Sequence, residues 1–142
     1  MRTLKLAIVV YFVLAMGQAR GEQWKITAYD NCKLCCNKDV NHPAYGITAS
    51  GKKAQAGYAA CNWLPFNTPL LVGGKPYTVQ DRGAKSLFGT KANPIKHLDI
   101  WMPTHAEARK FGVQYLDVEI GKLPTKIIAN KASQNKSKIF RP

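Results

Sequence analysis

The chain has 142 residues, with 21 Lys or Arg against 8 Asp or Glu and a formal net charge of +13. That length allows a single domain with its own core, and the charge selects polyanionic partners: nucleic acid, anionic lipid or anionic cell-wall polymers. No recognisable nucleic-acid-binding motif accompanies the charge, and past the N-terminus no apolar run is long enough to span a bilayer.

The first residues read MRTLK, then LAIVVYFVLAM, then GQARGE, with Gly17 and Ala19 as a small-x-small pair. A basic start, a short apolar run and small residues at the end form a secretory signal peptide, expected over residues 1–19. The rival, an uncleaved anchor, requires a longer apolar run than the 11 residues present. No cysteine stands at the cleavage region for lipid attachment. The mature chain is expected to be secreted or periplasmic, without stable membrane insertion after signal cleavage. Losing Arg2 and Lys5 leaves it at +11, and export argues against nucleic acid as the partner.

Gln23–Tyr29 alternates and predicts a first strand. Residues 30–45 are a polar loop holding Cys32, Cys35 and Cys36, and Gly46 to Gly51 (GITASG) reads as a tight turn onto a cleft wall. Gly57–Cys61 predicts a second strand and Thr68–Val72 a third. Gly73-Gly74 makes a hairpin turn, and Pro76–Gln80 returns as the fourth strand, with Asp81, Arg82 and Gly83 beyond it. After a loop over residues 82–96, His97–Trp101 alternates as a fifth strand that Met102-Pro103 ends. Thr104 and Glu107 fit a capping box, in which the glutamate reaches back to the backbone N–H of the N-cap residue. The helix they open runs to Gly112, and Val113–Ile120 closes the domain as a sixth strand. Residues 122–142 carry Lys122, Lys126, Lys131, Lys136, Lys138 and Arg141 with no acid, and read as a disordered basic tail. Six short strands, one short helix and glycine-rich turns predict a mainly β fold, a small six-stranded barrel over residues 23–121.

Four cysteines in an exported chain normally form disulfides. A vicinal bridge is strained, so Cys35 or Cys36 is expected to pair with Cys32 or Cys61. The rival is a zinc site made of all four thiolates; adjacent ligands and an oxidising compartment weigh against it, so no metal and no cofactor is expected. A nucleophilic cysteine paired with His42, His97 or His105 has less behind it, because nothing near the cysteines in sequence orients a base.

Carboxylates are depleted from strands, so Asp99, between Leu98 and Ile100, needs a reason. Asp81 at the end of another strand supplies one: two strand-borne acids flanked by loops are candidates to line one cleft. The plainer alternative is a solvated strand face, or aspartates satisfied by backbone N–H groups.

These pieces occur in a familiar order. Thr27-Ala28-Tyr29, the Cys32/Cys35/Cys36 cluster, Thr48-Ala49-Ser50-Gly51, Leu64-Pro65 with Thr68 beyond, Val79-Gln80-Asp81-Arg82-Gly83, His97-Leu98-Asp99-Ile100 and Ala106 to Gly112 (AEARKFG) together resemble the three-aspartate (3D) domain family. That family is a double-psi β-barrel, found in membrane-bound lytic transglycosylase A and in exported wall proteins, with related barrels in rare lipoprotein A and the expansins. The resemblance covers roughly Trp24 to Ile120. It implies peptidoglycan as substrate and the third aspartate, Asp99 here, as the catalytic acid, with Asp81 as the second of the trio. The first falls at Asn62, which keeps a hydrogen-bonding side chain and loses the charge. The stretch from Arg82 to Leu98 is longer than in the transglycosylase, which implies a different cleft rim.

The chemistry can be stated from the reaction itself. Cleaving a glycosidic bond needs a proton delivered to the leaving oxygen. In a lytic transglycosylase the same residue then takes the proton of the sugar's 6-hydroxyl, closing a 1,6-anhydro ring without water. Its pKa must be raised by burial or by a nearby negative charge. Asp81 would raise it; a pairing of Asp99 with Arg82 or Lys96 would lower it and defeat the acid role.

Thr27 is a candidate to bond sugar hydroxyls or the catalytic carboxylate. Thr48, Ser50 and Asn62 are candidates for sugar hydroxyls, although turn chemistry explains the first two as well. Tyr29 and Trp63 are candidates to stack on sugar rings, against the commoner role of strand aromatics as core. His97, two residues from Asp99, shares its strand face; a half-exposed histidine without a role is the ordinary expectation. The sequence points to a monomeric exported enzyme acting on peptidoglycan as a lytic transglycosylase, with Asp99 as acid and base and Asp81 in support. The alternative is a non-catalytic, expansin-like module that binds peptidoglycan or an anionic wall polymer. A small secreted effector or inhibitor on a disulfide-stapled barrel is the third reading.

Overall fold

The computed structural model describes residues 22–122. The signal peptide expected at 1–19 and the basic tail, apart from residue 122, lie outside the described residues. Six strands form a closed barrel: β1 (Glu22–Tyr29), β2 (Tyr58–Ala60), β3 (Pro69–Val72), β4 (Lys75–Asp81), β5 (His97–Trp101) and β6 (Gln114–Ile120). Their order around the barrel is β1-β5-β2-β4-β3-β6. The β1/β5 and β2/β4 pairs are parallel and the others antiparallel. Exchanging the first three strands for the last three reproduces the same neighbours, so the barrel consists of two topologically equivalent halves locked together. This is the mainly β, six-stranded barrel that the alternation predicts, and closure leaves no unpaired sheet edge.

One helix was expected and it is present as α3 (His105–Phe111); two single turns, α1 (Lys33–Cys36) and α2 (Lys85–Phe88), are additional. Four residues are too short to show helical periodicity. The Thr104 cap accepts the Glu107 N–H at 3.2 Å as expected. The glutamate carboxylate, however, accepts the Thr104 hydroxyl at 2.9 Å rather than the N-cap backbone N–H.

Apolar side chains of alternating strand positions fill the barrel: Trp24 and Ile26, Leu70 and Val72, Leu98 and Ile100, with Cys61, Val79 and Val118. Trp63, a candidate for sugar stacking, instead leans on this core, its ring 5.1 Å from that of Trp24. Because side chains alternate across a strand, burying Leu98 and Ile100 turns His97, Asp99 and Trp101 to the outer face of β5. Burying Trp24 and Ile26 does the same for Lys25, Thr27 and Tyr29 of β1, which lie directly opposite them. The outer face at this place is roofed by the loops that hold α1 and α2, and the space between is the cleft described next.

Candidate active site

Sheet register gathers the site. Thr27 of β1 is opposite Asp99 of β5, Asp99 is opposite Ala60 of β2, and Ala60 is opposite Asp81 of β4. Four adjacent strands thus contribute a row of Thr, Asp, Ala and Asp, with two strand spacings, about 10 Å between Cα atoms, separating the acids. The small side chain of Ala60 leaves the gap between them open. Simple alternation would send Asp81 into the core beside Val79. A register shift between Ala59 and Ala60 puts an extra residue, Gln80, into β4, and this bulge turns Asp81 onto the face of Asp99. Both acids line an open cleft of about 510 Å³ with Tyr29, Thr48 and Arg82, a volume suited to a small ligand or a few sugar units.

The two carboxylates have different surroundings. Asp81 accepts the Tyr29 hydroxyl at 2.7 Å, the Ala49 N–H at 2.9 Å and its neighbour's Arg82 N–H at 2.8 Å. Burial and the charge of Asp81 raise the Tyr29 pKa, so the phenol stays a donor. Asp99 accepts one hydroxyl, that of Thr27 at 2.8 Å. Among the described residues no cation pairs with it: Lys96 binds Glu22, and Arg82 donates to the carbonyls of Cys61 and Asp81 while its guanidinium lies 3.8 Å over the Phe66 ring. Burial therefore dominates. It pushes the Asp99 pKa up to about 6, against the Thr27 hydrogen bond and with help from the charge of Asp81.

Behind Asp99 runs a chain of three short contacts. Thr27 Oγ1 is 2.8 Å from His97 Nε2, and His97 Nδ1 is 3.1 Å from the Leu87 carbonyl. A carbonyl only accepts, so Nδ1 carries a proton. Burial lowers the His97 pKa, which keeps the ring neutral and leaves Nε2 bare. Thr27 has one proton and two acceptors for it, Nε2 and the Asp99 carboxylate. All three contacts are satisfied together when Asp99 is protonated, donates to Thr27, and Thr27 donates to His97. Ionising Asp99 leaves one contact without a proton. Because His97 Nε2 competes for the one Thr27 proton, Thr27 lowers the Asp99 pKa less than an undivided donor would. His97 is 4% exposed, so the half-exposed position expected of it is corrected. Phe88 stacks on its ring at 4.2 Å. Gly83 has to be glycine for this stack to form, because a Cβ there would lie 2.3 Å from the Phe88 ring.

The other candidates serve the walls. Thr48, buried, bonds the Ser50 hydroxyl at 3.0 Å and the Lys52 carbonyl at 3.0 Å. The Ser50 N–H reaches the Gln80 carbonyl at 3.1 Å. Their turn aims the Ala49 N–H at Asp81. Asn62, counted among sugar-binding candidates, spends its amide on the chain itself: Nδ2 donates to the carbonyls of Gly83 and Gly89 at 3.0 and 2.9 Å, and Oδ1 accepts the Gly83 N–H at 2.8 Å. An aspartate cannot make the two donations, which is a physical reason for the amide at this position.

The four cysteines are free thiols, so none of the expected disulfides is formed, and Cys61 is sealed in the core. The Cys36 thiol donates to the Asp30 carbonyl at 3.0 Å, and burial pushes its pKa up to about 11. The expectation that nothing orients a base near the cysteines is corrected: His105 Nδ1 lies 3.4 Å from Cys32 Sγ and 3.7 Å from Cys35 Sγ. The sequence reading named His105 as a possible cysteine partner but gave it little weight, and it missed the Leu87 carbonyl, Phe88 and the Ala49 N–H. The His105 and Ala49 contacts join residues far apart in sequence. Leu87 and Phe88, by contrast, stand ten and nine residues before His97 on a single helical turn, where the one local hint was the unusual length of the Arg82–Leu98 stretch.

No protein-family model matches this chain, and no curated protein does.

Proposed function

We propose that the chain is an exported protein of the three-aspartate family that cleaves the glycosidic bond of peptidoglycan as a lytic transglycosylase, with Asp99 as acid and then base. The observation that carries this reading is the setting of Asp99: a carboxyl at the wall of an open cleft, with no cation paired to it among the described residues, backed by a hydrogen-bond chain complete when it is protonated. A general acid must hold its proton near neutral pH and sit where a leaving oxygen can reach it. Once the proton is given up, Thr27 donates to the carboxylate, and the same oxygens are ready to take the 6-hydroxyl proton. Asp81, two strands away and held by three donors, contributes negative charge for an oxocarbenium-like state. The two equivalent halves of the barrel support the double-psi assignment, and the motif order supports the family.

Digestion of purified sacculi by the mature chain tests the reading. Soluble muropeptides ending in 1,6-anhydro sugars are the expected product. Binding to sacculi with no soluble product would replace the enzyme by a wall-binding module.

The proton chain adds a pH prediction. The rate profile in kcat/KM should fall through a pKa near 6 on its alkaline side. In His97→Phe the ring still stacks on Phe88, but Nε2 is gone, so Thr27 is free to donate to the Asp99 carboxylate. The alkaline limb should then move to lower pH, toward an ordinary carboxylate. An unmoved limb in a folded variant would remove His97 from the chain.

A further inference from the structure

At the edge of the cleft two segments distant in sequence, residues 30–35 and the start of α3, bring four metal-binding side chains together. Asp30 follows the end of β1, Cys32 and Cys35 belong to the α1 turn, and His105 opens α3. One donor atom from each lies within 4.8 Å of all the others. The set has a local logic. The Cys32 carbonyl accepts the N–H groups of Cys35 and Cys36, which closes a single turn and places the thiols of Cys32 and Cys35 on one side. Thr104, by capping α3, fixes where His105 begins.

Three features mark this cluster as more than a polar contact. His105 Nδ1 is 3.4 Å from Cys32 Sγ, 3.7 Å from Cys35 Sγ and 3.5 Å from Asp30 Oδ1. A tetrahedral zinc with ordinary Zn–S, Zn–N and Zn–O bonds separates such donors by about 3.5 Å. Those three contacts, all made by His105 Nδ1, have the lengths that tetrahedral zinc ligation requires, and the remaining pairs lie within 4.8 Å. Second, Asp30 is nine-tenths buried, and its Oδ1, the oxygen facing the cluster, makes no hydrogen bond of ordinary geometry, with His105 Nδ1 3.5 Å away. A buried carboxylate oxygen so weakly satisfied is costly and suits a cation. Third, the donor set combines two sulfurs, an imidazole nitrogen and a carboxylate oxygen, which suits zinc better than hard cations such as magnesium or calcium.

We infer that Asp30, Cys32, Cys35 and His105 form a site for a divalent zinc ion. Four protein ligands close the coordination sphere, so the ion is structural. The zinc arrangement weighed in the sequence used all four cysteines; here Cys36 and Cys61 are replaced by Asp30 and His105, because Cys61 is in the core and the Cys36 thiol is turned to a carbonyl. The site clips together the end of β1, the α1 loop and the start of α3. Cys35, Cys36, Asn37 and Lys38 of that loop form one wall of the cleft that holds Asp81 and Asp99, so the ion would stiffen the wall without touching the acids. The inference rests on the ligand geometry and is independent of the reaction proposed above.

The test uses the untagged mature chain, reduced, exposed to Zn²⁺ or Co²⁺ and freed of excess metal. One zinc per chain by elemental analysis is expected, together with the sulfur-to-cobalt charge-transfer absorption and intense visible bands of tetrahedral Co²⁺. His105→Ala should weaken zinc binding by 100-fold or more, roughly the upper end for loss of a supporting group, whereas Cys36→Ser should leave stoichiometry and spectrum unchanged. If His105→Ala fails to fold, Asp30→Asn and the spectrum of the Cys36→Ser protein still decide. Sub-stoichiometric zinc, octahedral cobalt, binding that survives His105→Ala, or a Cys32–Cys35 disulfide in the purified chain that excludes metal would each overturn the site.

Discussion

Asp99→Asn should lose bond cleavage by about 1,000-fold, in the range of a general acid's contribution, and yet be more stable than the parent protein above pH 6. The first effect follows because an amide has no proton to give at the leaving oxygen. The second follows from the direction of the Asp99 shift. Its pKa is about 6 in the fold against an ordinary 3.8. Between those values the native state holds a proton that the unfolded chain has released, so stability falls as pH rises. The contribution is fully present below the unfolded pKa and gone once pH has passed the folded one. It amounts to about 2 to 3 kcal/mol, the lower figure applying because the carboxyl meets cleft water. Asparagine does not ionise, so the variant should gain about that much over the parent near pH 8 and little near pH 4. Urea unfolding at the two pH values measures it. Equal stabilities at both would mean that Asp99 is an ordinary solvated carboxylate, and the acid role would go with it.

Asn62→Asp is the second large effect, and it runs the other way. Restoring the acid that the family resemblance places here should cost about 2 to 3 kcal/mol at neutral pH, because a carboxylate would face the carbonyls of Gly83 and Gly89 where an amide now donates to both. The damage would not stay local. Those two glycines bracket α2, and α2 holds the Leu87 carbonyl against His97 and Phe88 against its ring. Loosening the bracket should therefore reduce activity beyond the loss of folded protein, which a comparison of unfolding midpoints with residual rate per folded molecule would reveal. A variant as stable and as active as the parent would show that the amide bonds are dispensable.

The two cases also show which features the sequence carried. All six strands were legible because β1 and β5 alternate, the others are short runs bounded by glycine and proline, and Gly73-Gly74 and Met102-Pro103 mark where strands end. The pairing of Asp81 and Asp99 was suggested by two acids on strands, but the face of Asp81 was not. It depends on the bulge at Gln80, which appears only when β2 and β4 are laid side by side. His97 was misjudged because its burial comes from Phe88 and the Leu87 carbonyl, which a loop of long reach folds over it. The cysteines gave the same lesson. Their spacing spoke of disulfides or four thiolates, and the ligands that complete the tetrahedron, Asp30 and His105, reach them through the end of β1 and the start of α3.

The measurement that tests the central claim most directly is digestion of sacculi in water enriched in oxygen-18, with the released muropeptides weighed by mass spectrometry. If Asp99 closes the sugar's own 6-hydroxyl onto the broken bond, no solvent oxygen enters, and products should carry anhydro ends of unshifted mass. Reducing ends labelled with one heavy oxygen would contradict the account and make the protein a hydrolase.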